Sequence, residues 1–462
     1  MTSDQGPVQT VTVDRSGGQR GRGTPDVGAG LVLLYAPDFL ALPNIIAFES
    51  EQLVVGRDPP TAGVILAQAA ISRAHARFTL KRDGWHVTDL DSRNGTLVSG
   101  RFVAQKLLEA GDEIQIGDAI YKFVDKGVLG YGPFRIDGSL VPPAVASPIP
   151  ELVGGYQIAR VASETLRVAG ADLSVLVLGE TGVGKEVVAR ALHRLSGRRG
   201  KFCGVNCAAI PAALVESELF GVKKGAFTGA DRDRPGLMRA AHEGTILLDE
   251  IGDMPLESQA KLLRTLETRE IVPLGASAGE RIDLRIVCAT HHDLRGLVDQ
   301  GRFRGDLFAR INGCQLRLPP LRERKEDLYL LVRHFLRKER REDVGVSLPY
   351  MRALCHYSWP FNVRELESTV RWSLATLESG TELRALPATI EQATEIRGAS
   401  APRIALAPPT APKRATEAEL RSLLQKHAGN LTATARELGK DRTQLRRWLR
   451  QFGIDPDTYR QP

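Results

Sequence analysis

The sequence predicts a chain of several folded units: a β-sandwich at the front, a parallel α/β domain with a helical extension in the middle, and a small all-α unit at the end. Three observations point to this. At 462 residues the chain is too long for one core. From about 30 to 126, short β-branched and aromatic runs are bounded by Gly, Asp and Asn, whereas beyond 150 strand-like runs alternate with helical patterns. Beyond 398 a proline-rich stretch leads into a short, basic, helical segment.

Composition sets the outer limits. Hydrophobic residues at 42% and charged residues at 25% are ordinary for a globular protein. The net charge of +7 permits a nucleic-acid partner, and residues 413–462 hold 11 Lys/Arg against 6 Asp/Glu. No apolar run approaches the roughly 20 residues that cross a bilayer, so no membrane partner is expected. Residues 1–28 are polar and Gly-rich, lack the pattern of a secretory signal, and read as a disordered N-terminus. Cys203, Cys207, Cys288, Cys314 and Cys355 match no zinc spacing and are expected as free thiols in a reducing, cytoplasmic setting.

Taken in order, residues 29–126 form the sandwich, with strands at Leu53 to Val55, Ala76 to Leu80, Trp85 to Leu90, Glu113 to Ile116 and Ala119 to Val124. Trp85 and Val87 alternate with His86 and Thr88, as in a half-buried strand. Residues 127–150, rich in Gly and Pro, read as a linker. Residues 151–320 form the α/β core, with strands at Val175 to Leu178, Thr245 to Leu248 and Arg285 to Ala289, and residues 321–397 are wholly helical in pattern. Residues 398–415, with Pro402, Pro408, Pro409 and Pro412, form a second linker before the final unit at 416–462.

The α/β core carries a phosphate-binding loop. Gly179, Glu180, Thr181, Gly182, Val183, Gly184 and Lys185 follow a strand and precede the helical pattern Val187 to Leu192. Glycines let backbone N–H groups turn toward phosphates, the helix N-terminus adds positive potential, and Lys185 would reach the β- and γ-phosphates. Glu186 stands where a Ser or Thr usually ligates Mg²⁺. The strand ending in Asp249 and Glu250 supplies an acid to hold Mg²⁺ and an acid to polarise the attacking water. ATP and Mg²⁺ are therefore the expected cofactors.

In the final unit Leu420, Leu423 and Leu424 mark one apolar face, Thr432 is placed to cap a second helix ending at Gly439, and Asp441 with Gln444 opens a third. On that third helix Leu445, Trp448, Leu449 and Phe452 form the buried stripe, leaving Arg442, Thr443, Gln444, Arg446, Arg447 and Arg450 outside it. Two helices joined by a short turn, the second basic, suit the major groove of double-stranded DNA, and a solvated charged face is the alternative.

Several motifs together resemble one family. Gly225, Ala226, Phe227, Thr228, Gly229 and Ala230 match the signature loop of the sigma-54 activators, a branch of the AAA+ ATPases. Asn206-Cys-Ala-Ala, Glu218-Leu-Phe-Gly, Leu248-Asp-Glu-Ile-Gly, Gln259-Ala-Lys-Leu-Leu-Arg, Leu318-Pro-Pro-Leu-Arg-Glu-Arg and Trp359-Pro-Phe-Asn-Val-Arg-Glu-Leu-Glu extend the resemblance from about 152 to 386. The resemblance implies a homo-oligomeric ring, usually of six, that hydrolyses ATP at subunit interfaces and presents Phe227 and Thr228 to sigma-54 RNA polymerase. It further implies that Asn206 holds Glu250 until sigma-54 engages, that His291 senses the γ-phosphate, that Arg304 and Arg310 reach a neighbour's γ-phosphate, and that Arg364 of the lid touches nucleotide. Such trans-acting arginines contribute roughly 10³–10⁵ in rate. Phe361 departs from the family, which usually has Gly there; Glu186 is common within this branch.

The front and the end have resemblances of their own. Val55-Gly56-Arg57, Ile71-Ser72-Arg73-Ala74-His75 and Asp91-Ser92-Arg93-Asn94-Gly95-Thr96, with Gly111-Asp112 and Ile116-Gly117, resemble the forkhead-associated (FHA) domain from about 31 to 124. That domain reads phosphothreonine, whose charge and three acceptor oxygens suit Arg57, Arg73 and the Ser72 hydroxyl, while Asn94 would bond the ligand backbone and His75 would brace the loop. The ligand would be a phosphothreonine-containing protein or a phosphorylated segment of this chain. Gly429-Asn-Leu-Thr-Ala-Thr-Ala-Arg-Glu-Leu-Gly resembles the Fis-type helix-turn-helix that closes many sigma-54 activators, and implies enhancer DNA as a partner. No receiver-like acidic pocket precedes the ATPase, which argues against phospho-aspartate control within the chain. The rival readings are a DNA-binding AAA+ regulator that acts without sigma-54 and a non-catalytic phosphopeptide adaptor.

Overall fold

The computed structural model describes residues 28–60, 63–141, 149–226, 231–377 and 381–399 and, nearer the end, 417–427, 430–437, 449, 452 and 454–459. They fall in two compact units, Met1–Gly398 and Ala399–Pro462.

The first unit opens with the sandwich. Its strands are β1 (Gly30–Tyr35), β2 (Ile45–Ala47), β3 (Gln52–Gly56), β4 (Val64–Ile65), β5 (Ala76–Lys81), β6 (Gly84–Asp89), β7 (Thr96–Val98), β8 (Arg101–Phe102), β9 (Gln105–Leu107), β10 (Glu113–Ile116) and β11 (Ala119–Val124). One sheet has the order β2-β1-β11-β10-β7-β8 and the other β4-β3-β5-β6-β9. Trp85 and Val87 of β6 point inward as the alternation predicts. By contrast, β1 and β11 are buried along their whole length, on both faces. The near-continuous apolar run Leu31 to Leu34 is the sequence counterpart, since a strand covered on both sides has no polar face to alternate with.

Residues 127–141, expected as linker, are folded. Val128–Tyr131 form a 3-10 turn that buries Val128 against Val32 and Val124, and the Tyr131 ring lies 4.7 Å from that of Tyr156. Apolar and aromatic side chains within the Gly/Pro background override the turn signals.

The α/β core runs α1 (Tyr156–Ala169), β12 (Val175–Leu178), α2 (Lys185–Leu195), β13 (Phe202–Asn206), α3 (Ala212–Phe220), a short hairpin of β14 (Gly221–Val222) and β15 (Arg234–Pro235), α4 (Leu237–Ala240) and β16 (Thr245–Asp249). It continues through α5 (Leu256–Thr268), a hairpin of β17 (Glu270–Ile271) and β18 (Glu280–Arg281), β19 (Arg285–Thr290), α6 (Leu294–Asp299), α7 (Gly305–Ile311) and β20 (Cys314–Arg317). The parallel sheet has the order β13-β16-β19-β12-β20. Apolar clusters cover both of its faces, so the central strands read as unbroken apolar runs.

The extension comprises α8 (Leu328–Lys338), β21 (Gly345–Val346), α9 (Leu348–His356), α10 (Asn362–Ala375), β22 (Glu382–Leu383) and α11 (Ala388–Ala399). It is not wholly helical, because β21 and β22 pair in parallel. These two-residue strands leave too short a pattern to be seen in sequence.

The second unit contains α12 (Glu417–Lys426) and α13 (Leu431–Glu437), with Leu420 and Leu424 packed on Leu431, Ala435 and Leu449. The cap of α13 is Asn430, whose Oδ1 accepts from Ala433 N at 3.2 Å, and not Thr432 as expected. The DNA-contact candidates Arg442, Thr443, Gln444, Arg446 and Arg447 lie outside the described residues. All five cysteines are free, and among the described residues no helix is long and apolar enough to cross a membrane.

Candidate functional site

The phosphate loop leaves the carboxyl end of β12 and enters α2 at Lys185, beside the ends of β16 and β19. Open α/β sheets bind ligands along this edge. Gly182 has φ +80°, and a Cβ there would sit 2.2 Å from the Phe361 carbonyl oxygen, so only glycine fits. The N-terminus of α10 closes over the same residue, with Val363 N donating to Gly182 O at 3.1 Å.

Three side chains meet beside this loop. Lys185 Nζ, buried, donates to Gly179 O and to Glu250 Oε1, each at 3.0 Å. His291 Nδ1 lies 2.8 Å from Glu250 Oε2. Burial opposes charge on Glu250, but Lys185 and His291 outweigh it and hold the carboxyl below its usual range. Glu250 has φ +51° and ψ +48°, a left-handed conformation that costs a non-glycine residue about 1–3 kcal/mol and is common at functional sites. Asp249 behaves oppositely: burial raises its carboxyl, Lys185 offsets only part of this, and neighbouring Glu250 adds to it.

The remaining candidates make contacts of their own. Asn206 does not hold Glu250 here; its Oδ1 accepts from Ala208 N at 2.9 Å, capping a 3-10 turn. Within the loop, Glu180 carries a bidentate pair with Arg322 at 2.7 and 2.8 Å, and Glu186 pairs with Arg190 at 2.6 Å, so both carboxylates are engaged by the protein. Arg304 pairs with Asp306 at 2.7 Å and Arg310 donates to Leu266 O at 3.1 Å; both are exposed on the α7 segment, outside the Lys185 cluster. Arg364 is exposed, with its Cβ near the loop at Gly182. Phe361 has φ −109° and ψ 18°, which needs no glycine; the positive φ values fall on its neighbours Trp359 and Asn362.

Asn362 escaped the sequence reading. It is fully buried, and its Nδ2 donates to Thr181 O at 3.0 Å and Glu180 Oε2 at 3.1 Å, while Oδ1 accepts from Leu321 N at 2.7 Å. It ties the helical extension to the phosphate loop, and only its place in Trp359-Pro-Phe-Asn hinted at a role.

The hairpin β14–β15 forms the neck of a loop, closed by Lys223 to Asp233 at 2.7 Å and Lys224 N to Asp233 Oδ1 at 2.9 Å. Gly225, with φ +84°, and Ala226 begin it, whereas Phe227, Thr228, Gly229 and Ala230 lie outside the described residues.

At the sandwich edge, Arg57, Ser72, Arg73 and Asn94 come together on adjoining loops. Arg57 N donates to Ser72 O at 2.9 Å, and Gly56 must lack a side chain because a Cβ would sit 2.0 Å from Arg73 O. Ser72 Oγ accepts from Arg93 N at 2.9 Å and still has its own hydrogen to donate. Asn94 Nδ2 donates to Ala70 O at 2.7 Å, and both arginines are exposed. Buried His75 braces the group. Its Nδ1 accepts from Ser72 N at 3.2 Å, which assigns the hydrogen to Nε2 facing Gly95 O at 3.2 Å. Burial lowers its pKa. Asp89, a second brace not foreseen, accepts from Ser92 Oγ at 2.6 Å and Thr96 Oγ1 at 2.7 Å.

Comparison with known proteins agrees with these three regions. The Sigma-54 interaction domain model matches residues 153–317, the FHA domain model 53–117 and the AAA+ ATPase lid domain model 322–402. The transcriptional regulatory protein GlrR of Escherichia coli (strain K12) is 40% identical over 310 residues, 65% of this chain and 68% of that protein. This chain belongs to the sigma-54 interaction domain family of transcriptional regulators.

The DNA-binding transcriptional regulator NtrC of Azospirillum brasilense is 53% identical over 217 residues, 46% of this regulator and 45% of that one. NtrX from Brucella abortus, solved in complex with ATP, is 31% identical, with a TM-score of 0.49 over 67% of this chain and 71% of that chain. The regulator spans between 40% and 68% of the length of the curated relatives it matches. It thus combines an FHA domain, a sigma-54 interaction domain of AAA+ type and an AAA+ lid.

Proposed function

We propose that this regulator is an ATP-hydrolysing activator of sigma-54 RNA polymerase, held on enhancer DNA by its final unit and governed by phosphothreonine binding to its FHA domain. The observation that carries this is the Lys185–Glu250–His291 cluster beside a glycine cradle at the carboxyl edge of a parallel sheet. The chain's own residues fit ATP and Mg²⁺. Buried Lys185 donates to the Gly179 carbonyl oxygen and to Glu250, and the raised carboxyl of Asp249, which Lys185 offsets only in part, would be relieved further by a cation.

In this reading Lys185 exchanges Glu250 for the β- and γ-phosphates, and Glu250, released, takes a proton from the attacking water. His291 reports the change because it shares Glu250, and Asn206 becomes a partner for the freed carboxylate. Asp249 holds Mg²⁺, which when bound offsets phosphate charge. Arg304 and Arg310 of a neighbouring subunit in a six-membered ring supply charge at the γ-phosphate, and Arg364 steadies the nucleotide from the lid. The Gly225–Ala230 loop carries the resulting movement to sigma-54 through Phe227 and Thr228. Arg57, Ser72, Arg73 and Asn94 take the phosphothreonine, and Arg442, Thr443, Gln444, Arg446 and Arg447 face DNA.

Transcription in vitro with purified sigma-54 polymerase tests the central claim. Thr228→Ala is expected to keep ATP turnover and lose activation. Undiminished activation would favour a regulator that acts without sigma-54.

A further inference from the structure

The FHA domain presents a second face, away from the phosphate-reading loops, and this face is already occupied. On it Glu113 of β10 lies directly opposite Lys122 of β11, and both are almost fully buried. The lid answers with adjacent residues of opposite order. Lys325 pairs with Glu113, Glu326 pairs with Lys122, and His356 at the end of α9 takes the second oxygen of Glu113. Around this clamp Tyr35 OH donates to Val346 O at 2.5 Å, the Tyr35 ring lies 5.3 Å from that of Tyr329, and sandwich and lid side chains share one apolar cluster.

The clamped segment continues into the phosphate loop. Arg324, next to Lys325, is 2% exposed; its Nη2 donates to Val183 O and its Nη1 to Asp327 Oδ2, each at 3.3 Å. Asp327 in turn accepts from Gly155 N, at the start of α1, at 2.7 Å. The opposite route leads to the phosphate-reading loop. Asn94-Gly95 runs directly into β7, whose far end turns at Ser99-Gly100, and a Cβ on Gly100 would lie 3.3 Å from His356 Nε2. One short strand therefore separates the FHA ligand loop from the clamp, and one arginine separates the clamp from the nucleotide loop.

We propose that the β10–β11 face is a docking surface for this chain's own lid, and that its charge clamp positions the phosphate loop through Arg324, coupling the FHA domain to nucleotide binding. The coupling rests on the nucleotide-site reading above; the docking does not. In this scheme Arg324 is a positioning residue that acts through the Val183 carbonyl.

The test uses the full chain, Lys122→Glu, Glu326→Lys and the double variant, with ADP binding by calorimetry and amide hydrogen exchange. Each single variant places like charges in the buried clamp, and the double variant restores opposite charges with the order reversed. The single variants are expected to raise exchange at 113–124 and 179–185 and to weaken ADP binding at least about fivefold, the low end of ordinary coupling between sites. The double variant is expected to recover both. By reciprocity, ADP should slow exchange at 113–124 in the wild-type protein. Unchanged exchange at 113–124 in the single variants would overturn docking. Faster exchange there with unaltered ADP affinity would overturn the coupling. If the wild-type protein failed to bind ADP, the nucleotide-site reading would fall, and exchange at 179–185 would still decide whether docking shapes that loop. Should a reversed charge unfold the chain, Lys122→Met, which keeps the stem and removes the charge, is expected to give the same changes in smaller degree.

Discussion

Replacing Glu113 by Gln isolates the charge at the junction of sandwich and lid while preserving shape. The side chains of Glu113, Lys325 and His356 are 5%, 10% and 16% exposed, so water can do little to relieve a charge left behind. Breaking a buried ion pair from one side typically costs about 3–5 kcal/mol, because the remaining charge loses its partner. The amide oxygen can keep one hydrogen bond, which returns about 0.5–1.5 kcal/mol, so the net loss should be about 2–4 kcal/mol near neutral pH. The loss should also depend on pH. Burial works against the Glu113 carboxylate, but His356 and Lys325 prevail and hold it below the 4.5 of the unfolded chain. A carboxyl depressed on folding contributes stability that is present above the unfolded value and disappears as pH falls through the folded one. The difference between wild type and Glu113→Gln should therefore close as pH falls below 4.5. Urea unfolding followed by circular dichroism, with hydrogen exchange at 113–124, measures it. A loss under about 1 kcal/mol near neutral pH, or a difference that fails to narrow below pH 4.5, would refute the reasoning.

Glu250→Gln should keep ADP binding and lower ATP turnover by roughly 10²–10⁴, the usual contribution of a general base; turnover at the wild-type rate would remove Glu250 from that role. Gly182→Ala should destabilise the loop and weaken ADP binding, because the position has φ +80° and the new methyl would meet the Phe361 carbonyl, with a backbone cost of about 1–2 kcal/mol before any clash. Calorimetry showing wild-type affinity would contradict that geometry. Burial depresses the pKa of His75 below its ordinary 6.5, so folding favours the neutral ring, and the FHA domain should be fully stable above about 6.5 and lose stability as pH falls below it. His75→Gln should flatten that dependence in thermal melts; an unchanged slope would place the acid sensitivity elsewhere.

What the residues alone determined was whatever depends on near neighbours in the chain. Strands at Glu113–Ile116, Ala119–Val124 and Val175–Leu178 coincide with the expected runs, because side-chain alternation and apolar runs are local properties. The phosphate loop, the acids ending β16 and the Ser72–His75 loop were legible for the same reason: each is a short motif whose chemistry needs fixed residue types at fixed spacing. Tertiary structure alone decided which distant groups meet. Lys185 reaches Glu250 across 65 residues, Arg324 reaches Val183 across 141, Asn362 reaches Glu180 across 182, and Lys325 reaches Glu113 across 212. No local pattern records such pairings, since a charged residue looks the same in sequence whether it faces water or a buried partner. Hence Asn206, expected to hold Glu250, caps a 3-10 turn, and the loop carboxylates Glu180 and Glu186 pair with Arg322 and Arg190, whereas Glu113 and Lys122, two unremarked charges in an apolar sheet, form the junction between the sandwich and the lid. These two charges stay buried because folding brings Lys325 and His356 to Glu113 and Glu326 to Lys122.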